Sequence, residues 1–489
     1  MKKNNCILLG LVLFAGFSLL ACSDDKDIID DKIELIADDE PQPVTESSGF
    51  WVVNEDWFGH DNGTVNYFRQ QASDSYEAMY RAYRVANGEN EQLGVTTQFG
   101  AVWGENIYFI SKQGNRLVVA DAETLKKKAV LTEIGGDGRS FVGINENKGY
   151  VSHTSGIAVF DIKSFSITGQ IEGASGQIGM MGLSGNHVFA VSQQNGIYVI
   201  DTETDQIVRT IAGTYSTLTI SKEGDVWVAG SNGFLRIDPL SLDSEEIVYP
   251  EGAAVGSSWG AWNAGSLCAS TQKNVLYWTA GGGMFGGGRK VLKYDINKAT
   301  SSVIYELGQS EEGEQLVFYG AGLRVDPLTD NLILTVKHDG WGASGAYNWI
   351  YKLDNTGHEI THFALKGDNG SGASWAGNAE DWNEKYFWFP ALPLFEDANK
   401  PQILLNQIML SPDEEVKIDL SEKVVDYDNT LASIQYYIVA AENKLANISL
   451  DGHILKVVSF AQTGIYTCKI GVLSNGIRVE KEIEIVVIE

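Results

Sequence analysis

Residues 358 to 362 read His-Glu-Ile-Thr-His, two imidazoles and a carboxylate at the H-E-x-x-H spacing that holds a catalytic zinc when one helical turn separates the histidines. Whether they do so depends on the element that carries them. In the repeats described below, His358 falls at a turn and His362 on the strand that follows. Four residues of strand set two side chains about 13 Å apart, too far to share one ion, so no metal is expected there. The run GGGMFGGGRK (281–290) departs from the phosphate-loop pattern, because Arg289 follows Gly288, Val291 follows Lys290 and no helical pattern comes after. A loop between strands is expected instead. Cys268 and Cys468 stand apart, with no C-x-x-C pair or Cys/His ligand spacing, so neither a disulfide framework nor a structural zinc is implied. No Ser/His/Asp or Cys/His constellation can be assembled, no cofactor is indicated, and the chain is expected not to be an enzyme. If it were a hydrolase or lyase built on the repeats described below, Glu55, Asp56, Asp339, Glu380 and Asp381 are the carboxylates that would serve as acid and base.

The elements that carry these residues repeat. NRLVVADAETL, GIAVFDIKSF, GIYVIDTETD, GFLRIDPLSL, KVLKYDINKA and WIYKLDNTGH are each a strand, a turn opened by aspartate and the start of a second strand. Their aspartates, Asp121, Asp161, Asp201, Asp238, Asp295 and Asp354, lie 40, 40, 37, 57 and 59 residues apart. A period near 40 residues with four strands per unit predicts a β-propeller. The aspartate suits a turn because its carboxylate accepts hydrogen bonds from nearby amides. A seventh copy without it is GTVNYFRQQ followed by EAMYRAYRV. The first unit lacks an innermost strand and EKYFWFPAL (384–392) is left over, so this late strand is expected to complete the first blade. The expected fold is all-β: a seven-bladed propeller over residues 50–395, with eight blades as the alternative, then an immunoglobulin-like sandwich over 400–489, where about seven short strands are packed into ninety residues. Trp103, Trp227 and Trp278 fall within hairpins, where core packing is the expectation.

In a four-stranded blade, the A–B and C–D turns open on one face of the ring, and the B–C and D–A connections on the other. The first class is short here (GEN, NENKG, SKEGD), as turns that only connect are. The second holds every long loop rich in glycine and tryptophan, at 54–63, 256–266, 279–290, 313–320, 336–348 and 367–381. Exposed aromatics among amides offer flat apolar contact and orienting hydrogen bonds. The expected ligand-binding residues are Trp57, Phe58, His60, Trp259, Trp262, Phe285, Tyr319, His338, Trp341, Tyr347 and Trp375. Packing of these rings among themselves to cap the channel is the competing account.

The chain has 489 residues with 36 Lys and Arg against 64 Asp and Glu, a net charge of −28. Such a surface repels phosphate backbones, so nucleic acid is not an expected partner. MKKNN, an apolar run and Cys22 after LLA give a signal peptide over residues 1–21, not a membrane span. This leader resembles a bacterial lipobox, which implies a lipidated Cys22 and a membrane held by acyl chains alone. Residues 22–49 are acidic, expected as a flexible tether, and resemble the surface-export signal of Bacteroidota lipoproteins, which implies a place on the outside of the outer membrane.

FWVVNEDWFGHDNGTVNYF, the VID and VFD strands and the leader together resemble the YncE-like propeller lipoproteins of gut Bacteroidota, over about 350 of the 489 residues. One branch of these, the BtuG-type proteins, captures cobalamin and passes it to a TonB-dependent transporter. The resemblance thus implies a cell-surface protein that binds a corrinoid or similar nutrient and hands it to such a transporter. The C-terminal sandwich departs from that branch, and no ligand-binding residue can be matched one to one. A glycan-binding or adhesive role stays open, since tryptophan platforms also stack on sugar rings.

Overall fold

The computed structural model describes residues 33–35, 43–256, 264–283, 286–340, 342–367, 385–441 and 446–489. Among the described residues between Gly49 and Phe395 the strands form seven four-stranded antiparallel sheets. Blade 2 shows the pattern, with strands A to D at Thr97–Trp103, Asn106–Ser111, Leu117–Asp121 and Lys127–Leu131. Blades 3 to 7 repeat it as far as Ala364. Blade 1 is built from both ends of this region. Its outer strands are Gly49–Asn54, Thr64–Ala72 and Ser75–Met79, and its innermost strand is Pro390–Phe395, antiparallel to Gly49–Asn54 with Trp51 opposite Leu394 and Val53 opposite Leu392. The innermost strands neighbour one another in cyclic order. The ring is therefore closed as a propeller of seven blades, which protects the sheet edges that an open array would leave.

Two boundaries differ from the sequence expectation. The closing strand is not 384–392 but Pro390–Phe395, because Phe389 turns the chain at φ 45° and the carbonyls of Trp388 and Phe389 are taken by the N–H groups of Asp56 and Glu55 at 3.0 Å each. EAMYRAYRV is a strand only to Met79 and then becomes the helix Ala82–Asn87. This helix is part of the connection into blade 2 and buries Ala82 and Tyr83 against the propeller core.

Blades pack face to face, so their middle strands are covered on both sides and read as apolar runs: Ile107–Ser111 and Leu117–Ala120 are buried throughout, whereas outer strands such as Gln206–Ile211 are largely exposed. Rings fill the gaps between blades, with Tyr108 stacked on Phe141 at 3.9 Å and edge-on to Phe160 at 5.9 Å. Trp227 and Trp278 lie in this core. The aspartate of each repeat closes its C–D turn. Asp201 Oδ1 accepts from the Thr204 N–H and hydroxyl at 2.8 and 2.7 Å, and Asp121 and Asp161 do the same with Thr124 and Ser164. These bonds hold all three carboxyls below the usual carboxylate range.

Beyond Pro401 the chain forms two larger sheets around one core. The first runs in the order Ile33–Leu35, Leu405–Leu410, Ile477–Val487, Gly464–Ser474 and Gln435–Ala441, and the second Glu415–Asp419, Ile454–Ser459 and Ala446–Asp451. Ile408, Cys468, Ile470, Ile483 and Ile485 from one meet Val416, Ile418, Leu455 and Val457 from the other. The edge strand Ile33–Leu35 belongs to the stretch expected to be a free tether, yet it pairs antiparallel with Leu405–Ile408. Asn399 fixes the incoming chain again by bonding both the N–H and the C=O of Val44, at 2.8 and 2.9 Å.

This C-terminal unit docks on the short-turn face. The Gly104 N–H, in the A–B turn of blade 2, donates to the Asn475 carbonyl at 2.7 Å. Gln435 Nε2 reaches the Ile144 carbonyl in blade 3 at 2.6 Å, and Arg478 lies 3.4 Å from Glu146. Trp103 packs against the propeller core, as its hairpin position implies, and is a docking residue as well. Its indole donates to the Asn145 carbonyl at 3.2 Å and lies between two glycines. A Cβ on Gly143 would stand 2.0 Å from the indole, and one on Gly476 2.7 Å. Gly476 also has φ +79°, a region costing other residues about 1–2 kcal/mol. Gly476→Val is therefore expected to separate the two units, seen as a split calorimetric transition and faster proteolysis between residues 396 and 401. Gly452→Ala has a similar φ but no neighbour within 4 Å, and should lose stability without undocking.

Candidate functional site

The loop from Asn54 to Gly63 is the best-anchored long connection. At its root Glu55 and Asp56 are tied to the backbone of residues 388 and 389, as above. Asp56 Oδ2 also accepts the Thr64 hydroxyl at 2.6 Å. Farther along, Trp57 C=O accepts the N–H groups of His60 and Asp61 at 2.9 and 3.0 Å, closing a turn. Asp61 then pairs with Arg84 at 2.6 Å and accepts the Tyr386 hydroxyl at 3.2 Å. The Arg84 bond and charge hold the Asp61 carboxyl below its ordinary range despite burial.

These anchors place a set of rings. Trp57 is stacked between His60, with centroids 3.4 Å apart, and Phe387 at 4.9 Å. Phe387 leads to Phe389 at 6.1 Å and Phe389 to Tyr319 at 5.2 Å. Tyr319, on the innermost strand of blade 7, donates its hydroxyl to Glu55 at 3.0 Å. The short helical turn Gly342–Ala346 lies against the same rings, and a Cβ on Gly345 would sit 2.6 Å from Phe389. Beside it, Tyr347 stacks on His338 at 4.4 Å and carries the Lys385 ammonium 4.1 Å above its ring.

Of the residues expected to bind ligand, the structure brings Trp57, His60, Tyr319, His338 and Tyr347 into this one wall. Phe58 stands at the loop tip, 60% exposed. Trp259, Trp262, Phe285, Trp341 and Trp375 lie outside the described residues, as do Cys22, Glu380 and Asp381. Glu55 and Asp56 are buried together, while Asp339 is exposed and shares no hydrogen bond with either. The H-E-x-x-H segment is a strand from Glu359 to Ala364. His362 bonds Glu359 at 2.7 Å and stacks on Tyr351, whereas His358 sits in the turn bonded to Asp354.

A family model described as "Domain of unknown function (DUF5074)" matches residues 48–396. The chain belongs to the DUF5074 family. Its matched region is the whole propeller and excludes the C-terminal unit. A search of curated proteins gave no match. Among solved structures, the chain is similar to a quinonprotein alcohol dehydrogenase-like protein from Bacteroides thetaiotaomicron, with TM-score 0.51 and 15% identity over 71% of this chain and 78% of that one. Another is the extracellular domain of a putative one component system from the same organism, with TM-score 0.40 and 13% identity over 94% of this chain and 58% of that one. At such identity the first likeness speaks for fold alone. It agrees with the closed ring of four-stranded sheets in supporting a propeller-type fold.

Within this DUF5074 region, sequence reasoning missed Phe387, Phe389 and Lys385, having assigned them to a strand. The alternation in KYFWFP was the available signal. Tyr386 and Trp388 turn inward, where Arg81 lies 4.8 and 5.0 Å over their rings, and Phe387 and Phe389 face the Trp57 wall.

Burial raises the Asp56 carboxyl well above its ordinary range; the Thr64 bond, Arg81 and Arg84 oppose this and Asp61 adds to it. Its Oδ1 has no hydrogen-bond partner among the described residues, and its backbone is left-handed at φ 54°, which asparagine tolerates. A carboxyl raised by folding costs stability once pH exceeds its unfolded value near 3.8, because the folded state then disfavours ionisation. Asp56→Asn should therefore raise stability by about 1 kcal/mol at pH 8, with a smaller gain at pH 4.5. Urea midpoints at the two pH values check this; an equal change at both would contradict it.

Proposed function

We propose that this protein is a cell-surface lipoprotein that captures a large, partly flat nutrient on the long-loop face of its propeller and passes it to a TonB-dependent transporter. A corrinoid is the first candidate. The observation that carries the reading is the division of the two faces: the C-terminal unit docks on the short-turn side, and the aromatic wall around Trp57 gathers on the other. A wall of stacked rings backed by hydrogen-bonded carboxyls suits a disc with polar edges. Cobalamin itself enters through the resemblance to BtuG-type proteins.

The C-terminal unit, an immunoglobulin-like sandwich in this reading, serves as the stand. Ten residues lie between Cys22 and Ile33, a reach of at most about 36 Å. With Cys22 lipidated, the sandwich would lie nearest the membrane and the long loops would face outward.

Cyanocobalamin titrated into the lipid-free chain is expected to bind at micromolar concentration or tighter, followed by calorimetry or co-migration. Trp57→Ala should weaken binding at least about tenfold, the loss of roughly 1.4 kcal/mol that removing a central aromatic contact brings. No binding at micromolar cobalamin, together with a positive glycan array, would replace the nutrient reading with a sugar-binding one.

A further inference from the structure

At the long-loop ends of the inner strands, beside the aromatic wall, lies a patch of a different kind. Arg139, on the innermost strand of blade 3, is 8% exposed. Among the described residues its guanidinium is held by carbonyl oxygens alone: Nε and Nη2 on Gln177 Oε1 at 3.2 and 2.7 Å, and Nη1 on the carbonyls of Gly138, Lys112 and Asp137 at 2.7, 3.1 and 3.4 Å. Arg84 and Arg236 meet carboxylates, Asp61 at 2.6 Å and Asp225 at 2.7 Å, whereas Arg116 and Arg324, like Arg139, rest on carbonyl oxygens; what sets Arg139 apart is the second cation, Lys112, beside it. Lys112 follows the second strand of blade 2 and is half-buried. Its ammonium has no hydrogen bond or ion pair among the described residues. Two adjacent cations, each without a paired carboxylate among the described residues, in a chain of net charge −28 are costly to desolvate and to bring together.

Two carboxyls are near, and both are engaged elsewhere. Asp137 Oδ1 accepts the N–H groups of Gly114 and Asn115 at 3.0 and 3.3 Å. Glu55 accepts the Tyr319 hydroxyl, and burial raises its carboxyl against the pull of Lys112. Burial also lowers the Lys112 ammonium, with Arg139 adding to this and Glu55 opposing it.

We propose that the mouth of the channel on the long-loop face is a site for a carboxylate or phosphate group, with the Lys112 ammonium as its direct partner and Arg139 as the second charge. Glu55, Tyr319 and Phe389 connect this site to the Trp57 wall by the contacts described above, so one ligand can place a flat apolar body on the rings and an anionic group at the channel. The inference rests on the long-loop face being the ligand face.

The test uses the lipid-free full chain and inorganic phosphate, against chloride at matched ionic strength, with melting temperature and phosphorus NMR line width as readouts. The wild-type chain should be stabilised and should broaden the phosphate line, and Lys112→Met should weaken phosphate binding at least tenfold. Arg139→Gln should act likewise, and Lys298→Met, on an exposed turn, should change nothing. No phosphate response in the wild-type chain, or an undiminished one in Lys112→Met, would overturn the site. Phenyl phosphate should bind more tightly than inorganic phosphate; equal affinities would make this a free-ion site and overturn the link to the wall. Cyanocobalamin binding that persists while phosphate binding fails would overturn this inference alone.

Discussion

The antiparallel pairing of Pro390–Phe395 with Gly49–Asn54 is the contact on which the rest depends. It joins residues more than 330 positions apart, so its loop-closure entropy is met only once all the intervening blades are stacked. What it secures is more than a ring. The residues just before the closing strand receive the backbone of Glu55 and Asp56, and so set the root of the 54–63 loop and the position of Trp57. The residues just after it lead directly into the junction with the C-terminal unit. Closure, candidate site and domain junction are three consequences of one strand.

That junction carries its own electrostatic tension. Asp397 accepts from Asn475 and Asn429 at 2.7 and 3.1 Å, and burial, with Asp426 and Asp428 nearby, pushes its carboxyl up to about 7. Asp428 is raised for the same reasons while it accepts from Asn399. Since Asn475 also holds Gly104 of the propeller, the link between the two units is tied to carboxyls whose ionisation burial opposes.

Local regularities were the legible part of the chain. The aspartate turns announce themselves because donor and acceptor lie within four residues, and the blade count follows from their spacing. The H-E-x-x-H decoy fails for the same reason, since its register in the repeat already places it on a strand. What the chain concealed was set by distant partners. KYFWFP alternates like a strand, yet its backbone is diverted to hold the 54–63 loop. Residues 33–35 are three unremarkable positions between charged runs, and only the open edge at Leu405–Ile408 makes a strand of them. Trp103 sits in an ordinary hairpin position, and the docking of Gly476 could not be read from either segment alone. The wall around Trp57 was half visible: its loop residues stood out by composition, while Phe387 and Phe389 supply rings from a stretch with another apparent duty.

The attachment of Ile33–Leu35 to the edge at Leu405–Ile408 also has a mechanical side. A pull on the amino terminus is borne first by those backbone pairs and then by the amide clamp of Asn399 on Val44, before any of it reaches Gly49. Were the chain held by its amino terminus, as proposed, shear or drag would thus strain the C-terminal unit while the first blade, and the ring it closes, remain out of the line of force.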